Sequence, residues 1–370
     1  MTATFETLTT SYRRILDAVW RNGPSSRAEI AASTGFTRPA ISQMVQELTG
    51  MGLLTEQPAR KGQRGQPARP LVIQGTAGFA VGVNFSLTYL EMCLIDLAGV
   101  VIDSLRVPLG EPTPEAIGAV VAPRLDAMIA RHDLARDRLL GVGISLPGDF
   151  AADGSVLPHA LFPALAGAGM EGRFERAIGV PVILENDGRV CAIGERVIGV
   201  GTAYRTFMLV HIGHGVGGGL IIDGKPYRGA HGNAGILGQF YPYGQPRPSG
   251  QDLLEVLAAE GFAFDDFDAL EALPAQAEPI VAAWVARAAG QLAGELARVG
   301  RFFGPEAIIL AGRLPPAILT ALVDAIDLGT VLAPTDTLPN PPLRATALGS
   351  AAGMIGAAAL PIFRSLLPHA

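Results

Sequence analysis

Asn186 and Asp187 stand together where the apolar run VPVIL gives way to ENDGRVCAIGE. The run reads as a strand and the stretch after it as a helix, so the pair occupies a polar tip between two elements. A carboxylate accepts hydrogen bonds and a carboxamide both donates and accepts. Side by side, the two can hold adjacent hydroxyls of a polyhydroxylated ligand. Asp187 also suits the N-cap of the helix that begins there, and capping does not exclude ligand contact. Further on, residues 231–250 read HGNAGILGQFYPYGQPRPSG. Eight of these twenty positions are Gly or Pro, the composition of a loop that holds an unusual backbone path. With His231 neutral, Arg247 is its only charged side chain. Such loops normally surround a ligand, yet this one is poor in acids and metal ligands. His211, His214 and His231 come without an acid partner, and no metal is expected.

These residues need a scaffold, and the sequence from Phe79 onward describes one. FAVGVNFSLTYLEMCLIDLAGVVIDSLRVPL reads as successive strands turning at Ala98-Gly99, and LLGVGISLPGDF as a further strand and turn. RTFMLVHIGHGVGGGLIIDGKPYRG reads as a strand pair joined through a glycine-rich turn. Strands alternating with helices make the class α/β. The 370 residues suit two or three domains, and 49% apolar with 17% charged residues is a globular composition without signs of disorder. Cys93 and Cys191 are the only cysteines. They exclude a disulfide framework and a cysteine-based zinc site, and suggest a reducing, cytoplasmic compartment. The opening MTATFETLTTSYRR lacks an apolar signal-peptide core. The uncharged run from Ala345 to Phe363 is mostly Gly and Ala and contains Pro361. It reads as a closely packed buried helix rather than a membrane span.

Charge sets the first 75 residues apart. They carry nine Lys or Arg against five acids, a net of +4, which leaves −10 for residues 76–370 of a chain whose total is −6. A basic head on an acidic body suggests that the head meets a polyanion. Ile15, Leu16, Val19 and Trp20 have the spacing of an amphipathic helix. Ser26 and Glu29 form a capping box for a second helix, Gly35 makes the turn, and Thr37 with Pro39 opens a third. In that third helix Ile41, Met44, Val45 and Leu48 face inward, while Arg38, Ser42, Gln43 and Gln46 face out. This is a helix-turn-helix with a hydrogen-bonding recognition face, although a plain three-helix bundle shares the same inward pattern. Leu53-Leu54-Thr55 and Leu71-Val72-Ile73 add two strands joined by the basic tip ARKGQRGQPARP, which resembles an arm for a minor groove. The residues expected at DNA are Arg27, Thr37, Arg38, Ser42, Gln43, Gln46, Arg64, Gln66 and Arg69.

Taken as an ordered set, PGDF, ENDGRVCAIGE, HIGHGVGGGLIIDGKPYRGAHGNAGILGQ and IILAGR resemble the ROK family of sugar kinases and repressors. With the winged head, the resemblance spans essentially the whole chain. It implies a winged helix-turn-helix at 1–75, then a two-lobed actin-like ATPase fold with a sugar cleft between the lobes. The first lobe is expected at 76–195 and the second at 196–344, with a C-terminal helix at 345–370 returning to the first. Phosphoryl transfer needs backbone amides around phosphates, a magnesium site and a carboxylate near the accepting hydroxyl. The family's first phosphate loop, Asp-x-Gly-Gly-Thr, falls on Asn84 to Thr88 and has lost its acid and both glycines. The second keeps Gly213, Gly215, Gly217, Gly218 and Gly219 but has His214 for a Thr, and the adenosine-side glycines read Ala311-Gly312-Arg313.

The sugar side departs less from the family. Asn186 and Asp187 match its Asn-Asp pair, and Pro147-Gly148 matches the adjacent turn. Gly-Glu-x-Gly-His becomes Gly235-Ile236-Leu237-Gly238-Gln239, and Glu255 keeps the last acid of a cysteine motif whose cysteines are Pro246, Pro248 and Leu253, so zinc is not expected. The resemblance thus implies an effector site of Gly148, Asn186, Asp187, Ile236, Gln239 and Glu255, with no catalytic residue and no cofactor. The expected protein is a repressor that binds an inverted-repeat DNA operator as a homodimer or homotetramer and responds to a sugar-like effector. An active sugar kinase with a DNA-binding head, or a regulator driven by a protein partner, are the competing readings.

Overall fold

A computed structural model describes residues 5, 8–57, 69–86, 89–157, 162–242, 244–329, 331, 335 and 339–367. The chain packs as two compact units: Met1–Leu146, Pro158–Glu185 and Ala357–Ala370 in the first, Pro147–Leu157 and Asn186–Gly356 in the second.

The first unit begins with the head. Helices α1 (Thr10–Asn22), α2 (Arg27–Thr34) and α3 (Arg38–Gly50) precede strands β1 (Leu54–Glu56) and β2 (Leu71–Ile73). The strands pair antiparallel with Leu54 opposite Ile73, and Ser25 adds a bridge to Leu71. The local signals explain these limits. Thr9 caps α1, and Ser26 and Glu29 form the reciprocal capping box of α2. Gly35 ends α2 in the left-handed conformation at φ 74°, which costs a glycine little. Ile15, Leu16, Ile30, Ile41, Val45, Leu48 and Leu71 are fully buried together with Leu53 and Leu54, so the inward stripe of each helix meets the others and the wing.

A five-stranded sheet follows: β3 (Phe79–Phe85), β4 (Tyr89–Asp96), β5 (Val101–Pro108), β6 (Leu139–Leu146) and β7 (Val182–Asn186), in the order β5-β4-β3-β6-β7. The first three strands meander antiparallel, and β6 then lies parallel to β3. Strands β3, β4 and β6 are buried almost throughout, as expected of strands covered on both faces. Helices α4 (Pro114–Arg131) and α5 (Met170–Ile178) pack on each other so closely that a Cβ at Gly118 would meet that of Ala177 at 2.3 Å.

The second unit repeats this arrangement. Helix α6 (Asp187–Ile198) leads into β8 (Phe207–Ile212), β9 (Val216–Ile222) and β10 (Lys225–Pro226). Then come α7 (Gly250–Ala259), α8 (Glu278–Phe303), β11 (Ala307–Gly312), α9 (Pro316–Ala325), β12 (Leu343–Ala345) and the start of α10 (Ala352–Leu366), which belongs to the first unit from Ala357 onward. Its sheet order is β10-β9-β8-β11-β12, with β8-β9 antiparallel and β8-β11 and β11-β12 parallel. In each sheet the third, second, first, fourth and fifth strands of the unit are neighbours, the duplicated arrangement of an actin-like fold. One face of the second sheet builds a core with α7, α8 and α9 around Trp284, Leu253, Leu292 and Leu310. The other packs Leu209, Ile221 and Ile309 against Cys191 and Ala192 of α6 and Ala352 of α10.

The limits of the units do not coincide with the 195/196 division read from the sequence. Helix α6 belongs with the second sheet because glycines on β9 let it approach, a Cβ at Gly188 falling 2.6 Å from the Gly218 nitrogen. In the first unit, Ala357 of α10 lies against β6, where only a glycine at position 143 leaves room for its carbonyl. Both cysteines are free and buried, and burial pushes the Cys93 thiol up to about 12. Among the described residues, no helix is long and apolar enough to cross a membrane.

Candidate functional site

Helix α3 and its N-cap carry five of the nine residues expected at DNA. Thr37 is the N-cap of α3, but its side chain makes no cap bond. Among the described residues, the side chains of Thr37, Arg38 and Gln46 are exposed and hold no partner. The Ser42 hydroxyl donates to the Arg38 carbonyl at 3.0 Å, and the Gln43 carboxamide donates to Glu47 at 3.1 Å. Glu47 also accepts the Tyr12 hydroxyl of α1. Those two bonds, the Tyr12 bond first, hold the Glu47 carboxyl below the usual carboxylate range. The turn between α2 and α3 is fixed by Arg14, which donates to the Thr34 carbonyl and lies 4.6 Å over the Phe36 ring.

Arg27 and Arg69 meet at one acid: Glu56 of β1 lies 2.9 Å from Arg27 and 3.8 Å from Arg69. The expected contribution of Arg27 to DNA therefore starts from an internal ion pair. Arg64 and Gln66 fall outside the described residues. The relations of Tyr12 to Glu47 and of Glu56 to both arginines were missed by the sequence reading, since nothing in their spacing marks a contact between separate elements.

The expected effector residues all lie in the second unit, and three of them, Gly148, Asn186 and Asp187, meet at the N-terminal end of α6. The Asn186 oxygen caps that helix, accepting from the Gly188 and Arg189 amides at 3.0 and 3.3 Å. Its nitrogen donates to the Gly148 carbonyl at 2.8 Å. Gly148, at φ 122°, holds a backbone path that other residues rarely adopt. Asn186 and Gly148 are thus brought together, with the amide committed at both ends. The N-cap is Asn186, and Asp187 is the first helical residue. Its carboxylate accepts from the Gly188 amide at 2.7 Å and stands 3.8 Å from His211 Nδ1, leaving it part-exposed. Burial is the main cause that lowers the His211 pKa, with the nearby Arg313 charge acting the same way and Asp187 opposing them. A neutral imidazole therefore backs an accessible carboxylate.

The 231–250 loop is pinned around this point. Asn233 exchanges two hydrogen bonds with the Phe150 backbone, at 3.0 and 2.7 Å, and buried Arg189 donates to the Gly232 carbonyl. A Cβ at Gly218 would stand 2.3 Å from the Gly235 carbonyl, and one at Gly238 would stand 2.6 Å from that of Val216. The loop thus lies directly on β9, with Ile236 half-buried and Gln239 exposed without a partner among the described residues. Glu255 is different. It is exposed on α7 and accepts from Gln251 one turn earlier, and no described contact joins it to Asp187. The engaged acid of that helix is Asp252, which accepts from the Arg247 amide, the Trp284 indole and Arg287. Asp252 follows Ser249, the N-cap of α7, by three residues, a spacing that could have drawn attention to it.

The positions that match phosphate loops have other employment. Asn84 donates to Glu91 at 3.1 Å, and Glu91 is clasped by Arg106 through Nε and Nη2 at 3.2 and 2.6 Å. Gly217, Gly218 and Gly219 lie within β9 rather than in a loop, and a Cβ at Gly219 would strike Ala192 and the Gly188 carbonyl of α6. In the turn itself, His214 packs edge-on against Phe267 with ring centres 4.9 Å apart. Among the described residues, no group of three His, Cys, Asp or Glu could hold a metal ion.

Comparison with known proteins agrees with this architecture. Residues 80–252 match the model of the ROK family, and residues 7–65 match that of the MarR family. The protein y4fQ of Sinorhizobium fredii (strain NBRC 101917 / NGR234) is 38% identical over 98% of this chain and 93% of its own. The xylose repressor of Bacillus subtilis (strain 168) is 28% identical, over 60% of this chain and 58% of that protein. A crystal structure of a ROK family transcriptional regulator, a homologue of the E. coli MLC protein, superposes with a TM-score of 0.68 at 22% identity, covering 96% of both chains. The chain belongs to the ROK family and carries a winged helix-turn-helix of MarR type ahead of its ROK region.

Proposed function

We propose that this protein is a transcriptional repressor of the ROK type, whose α3 face reads duplex DNA and whose Asp187 site takes a sugar-like effector. The observation that carries the reading is the face of α3. Arg38 and Gln46 project from it with unspent donors and acceptors, beside a Thr37 hydroxyl free of capping, as base-edge and phosphate contacts require. A single winged helix covers little DNA, so a symmetric dimer or tetramer on an inverted repeat is the natural binding form. The sugar class is supported by the part-exposed Asp187 carboxylate and by the name of the xylose repressor among the relatives. With Ile236 half-buried in place of an acid, the site favours a deoxy or acylated sugar.

Absence of kinase activity is part of the same reading. It is supported by Asn84 and Glu91, which spend their polar groups on each other and on Arg106, and by the β9 glycines, whose role in packing accounts for them without a nucleotide. The test is an electrophoretic shift of the full chain on promoter-length duplex DNA, with a panel of monosaccharides and, separately, with ATP. Retained DNA whose bound fraction changes with one class of sugar and not with ATP supports the reading. Sugar-dependent release of ADP would overturn the non-enzyme part, and an effect of a protein partner but of no sugar would overturn the effector part.

A further inference from the structure

We infer that Tyr12 and Glu47 are positioning residues for DNA reading: together they fix which way the Gln43 carboxamide faces on α3. The inference rests on the proposal that Gln43 meets a base edge. Glu47 stands one turn after Gln43 on the same helix and takes its Nε2–H on Oε1 at 3.1 Å. The other oxygen, Oε2, takes the Tyr12 hydroxyl from α1. Glu47 is therefore a bridge between the recognition helix and the helix behind it, with one oxygen assigned to each partner.

The consequence for Gln43 is chemical. A glutamine reads adenine by offering one N–H and one carbonyl oxygen in a fixed order. A free side chain presents either order after a half-turn about its last torsion, because oxygen and nitrogen occupy nearly the same space. With Nε2 tied to Glu47, the second N–H and Oε1 remain for DNA in a single order. The Tyr12 hydroxyl holds the carboxylate that imposes this order, so the rigidity of α1 reaches the base-reading group. The Tyr12 and Gln43 hydrogen bonds hold the Glu47 carboxyl below the usual carboxylate range, so the arrangement is complete at neutral pH. Reduced rotamer freedom before binding also removes an ordering cost. No phosphate contact is involved, which separates this device from Arg38 and the wing.

The test is a selection of duplexes from a random library by the full chain, repeated with Gln43→Ala, Tyr12→Phe and Glu47→Gln, followed by affinities for the selected site and its single-base variants at several salt concentrations. Gln43→Ala should flatten the preference at one position of each half-site by about tenfold. Tyr12→Phe and Glu47→Gln should flatten the same position by roughly three- to tenfold, with other positions and the salt dependence unchanged. In Glu47→Gln one acceptor oxygen becomes a donor, so it can no longer serve both partners, while Glu47→Asp keeps the charge but not the reach. If Gln43→Ala leaves the preference intact, the reading of Gln43 as a base contact fails. If Gln43→Ala alters one position but Tyr12→Phe and Glu47→Gln do not, the positioning role fails and the base contact stands. A uniform loss at all positions in the Tyr12 variant would mark a merely structural bond and also overturn the inference.

Discussion

The guanidinium of Arg13, in the first helix of the head, donates to the main-chain carbonyl of Ser365 in the last helix, 352 residues further along the chain. The same side chain reaches the Leu8 and Phe5 carbonyls at 3.3 and 3.4 Å. Carbonyls in the last turn of a helix lack intrahelical donors and carry the negative end of its dipole, so a cation there is doubly suited. Within the first unit, this contact joins the head to α10, which also packs on β6.

Arg13→Ala should therefore lower the stability of the chain by about 1–2 kcal/mol, because buried carbonyls lose a charged donor. Urea unfolding followed by circular dichroism measures it. Arg13→Lys should recover part of the loss, since one ammonium cannot serve three separate carbonyls. An unchanged midpoint for Arg13→Ala would mean that the contact contributes nothing in solution.

Glu56 holds Arg27 and Arg69 in reserve. Glu56→Gln releases both from a negative partner, so DNA affinity should rise several-fold. The dependence of log affinity on log salt should steepen by roughly 0.9 for each arginine that gains a phosphate. Fluorescence anisotropy with a labelled duplex across a salt series provides the measurement. Weaker binding by Glu56→Gln would show instead that the acid is needed to orient the arginines.

Asn186 and Asp187 are adjacent, yet their replacements should separate. Asn186→Ala strips the cap of α6 and the tie to Gly148, and should cost roughly 1–3 kcal/mol of stability. Asp187→Ala removes a part-exposed carboxylate and should leave stability and DNA binding near normal while abolishing the response to any sugar that acts on the parent chain. Calorimetry with a panel of neutral monosaccharides, run beside thermal unfolding, distinguishes the two. A normal sugar response in Asp187→Ala would move the effector away from this site.

His211 ties stability to pH. Its folded-state pKa is lowered, chiefly by burial, so the unfolded chain binds the proton more readily. Stability is full above the unfolded value of about 6.5 and falls as the pH drops below it toward the depressed folded value. His211→Asn should flatten this stretch of the curve between pH 7.5 and 5.5. Asp187→Asn removes the one charge that favours the imidazolium and should steepen it. Thermal midpoints across that range decide, and a slope identical in all three proteins would rule out His211 as its source.

Much of the head was legible because its signals are local. The capping box of Ser26 and Glu29, the left-handed Gly35 and the inward Ile41, Val45 and Leu48 each depend on residues within two turns. The pairing order of ten strands in two sheets depends on partners far apart in sequence, and no short pattern states it. Glycine misled for a related reason. Gly217, Gly218 and Gly219 suggest a loop when read alone, but they sit in β9 because α6 and the Gly235 loop press against it. Glu255 drew attention through the family motif, while Asp252 three residues earlier carries the buried contacts. At Asp187 the carboxylate was evident, but its neighbour His211 arrives from β8, 24 positions later, and only packing brings them within 3.8 Å.

The central claim is that α3 reads duplex DNA. Selection of the full chain against a random duplex library, with the double variant Arg38→Ala/Gln46→Ala carried in parallel, tests it most directly. The parent should enrich one inverted-repeat sequence, and the double variant, still folded by circular dichroism, should enrich none. Failure of the parent to enrich any sequence, or enrichment of the same repeat by the double variant, would contradict it.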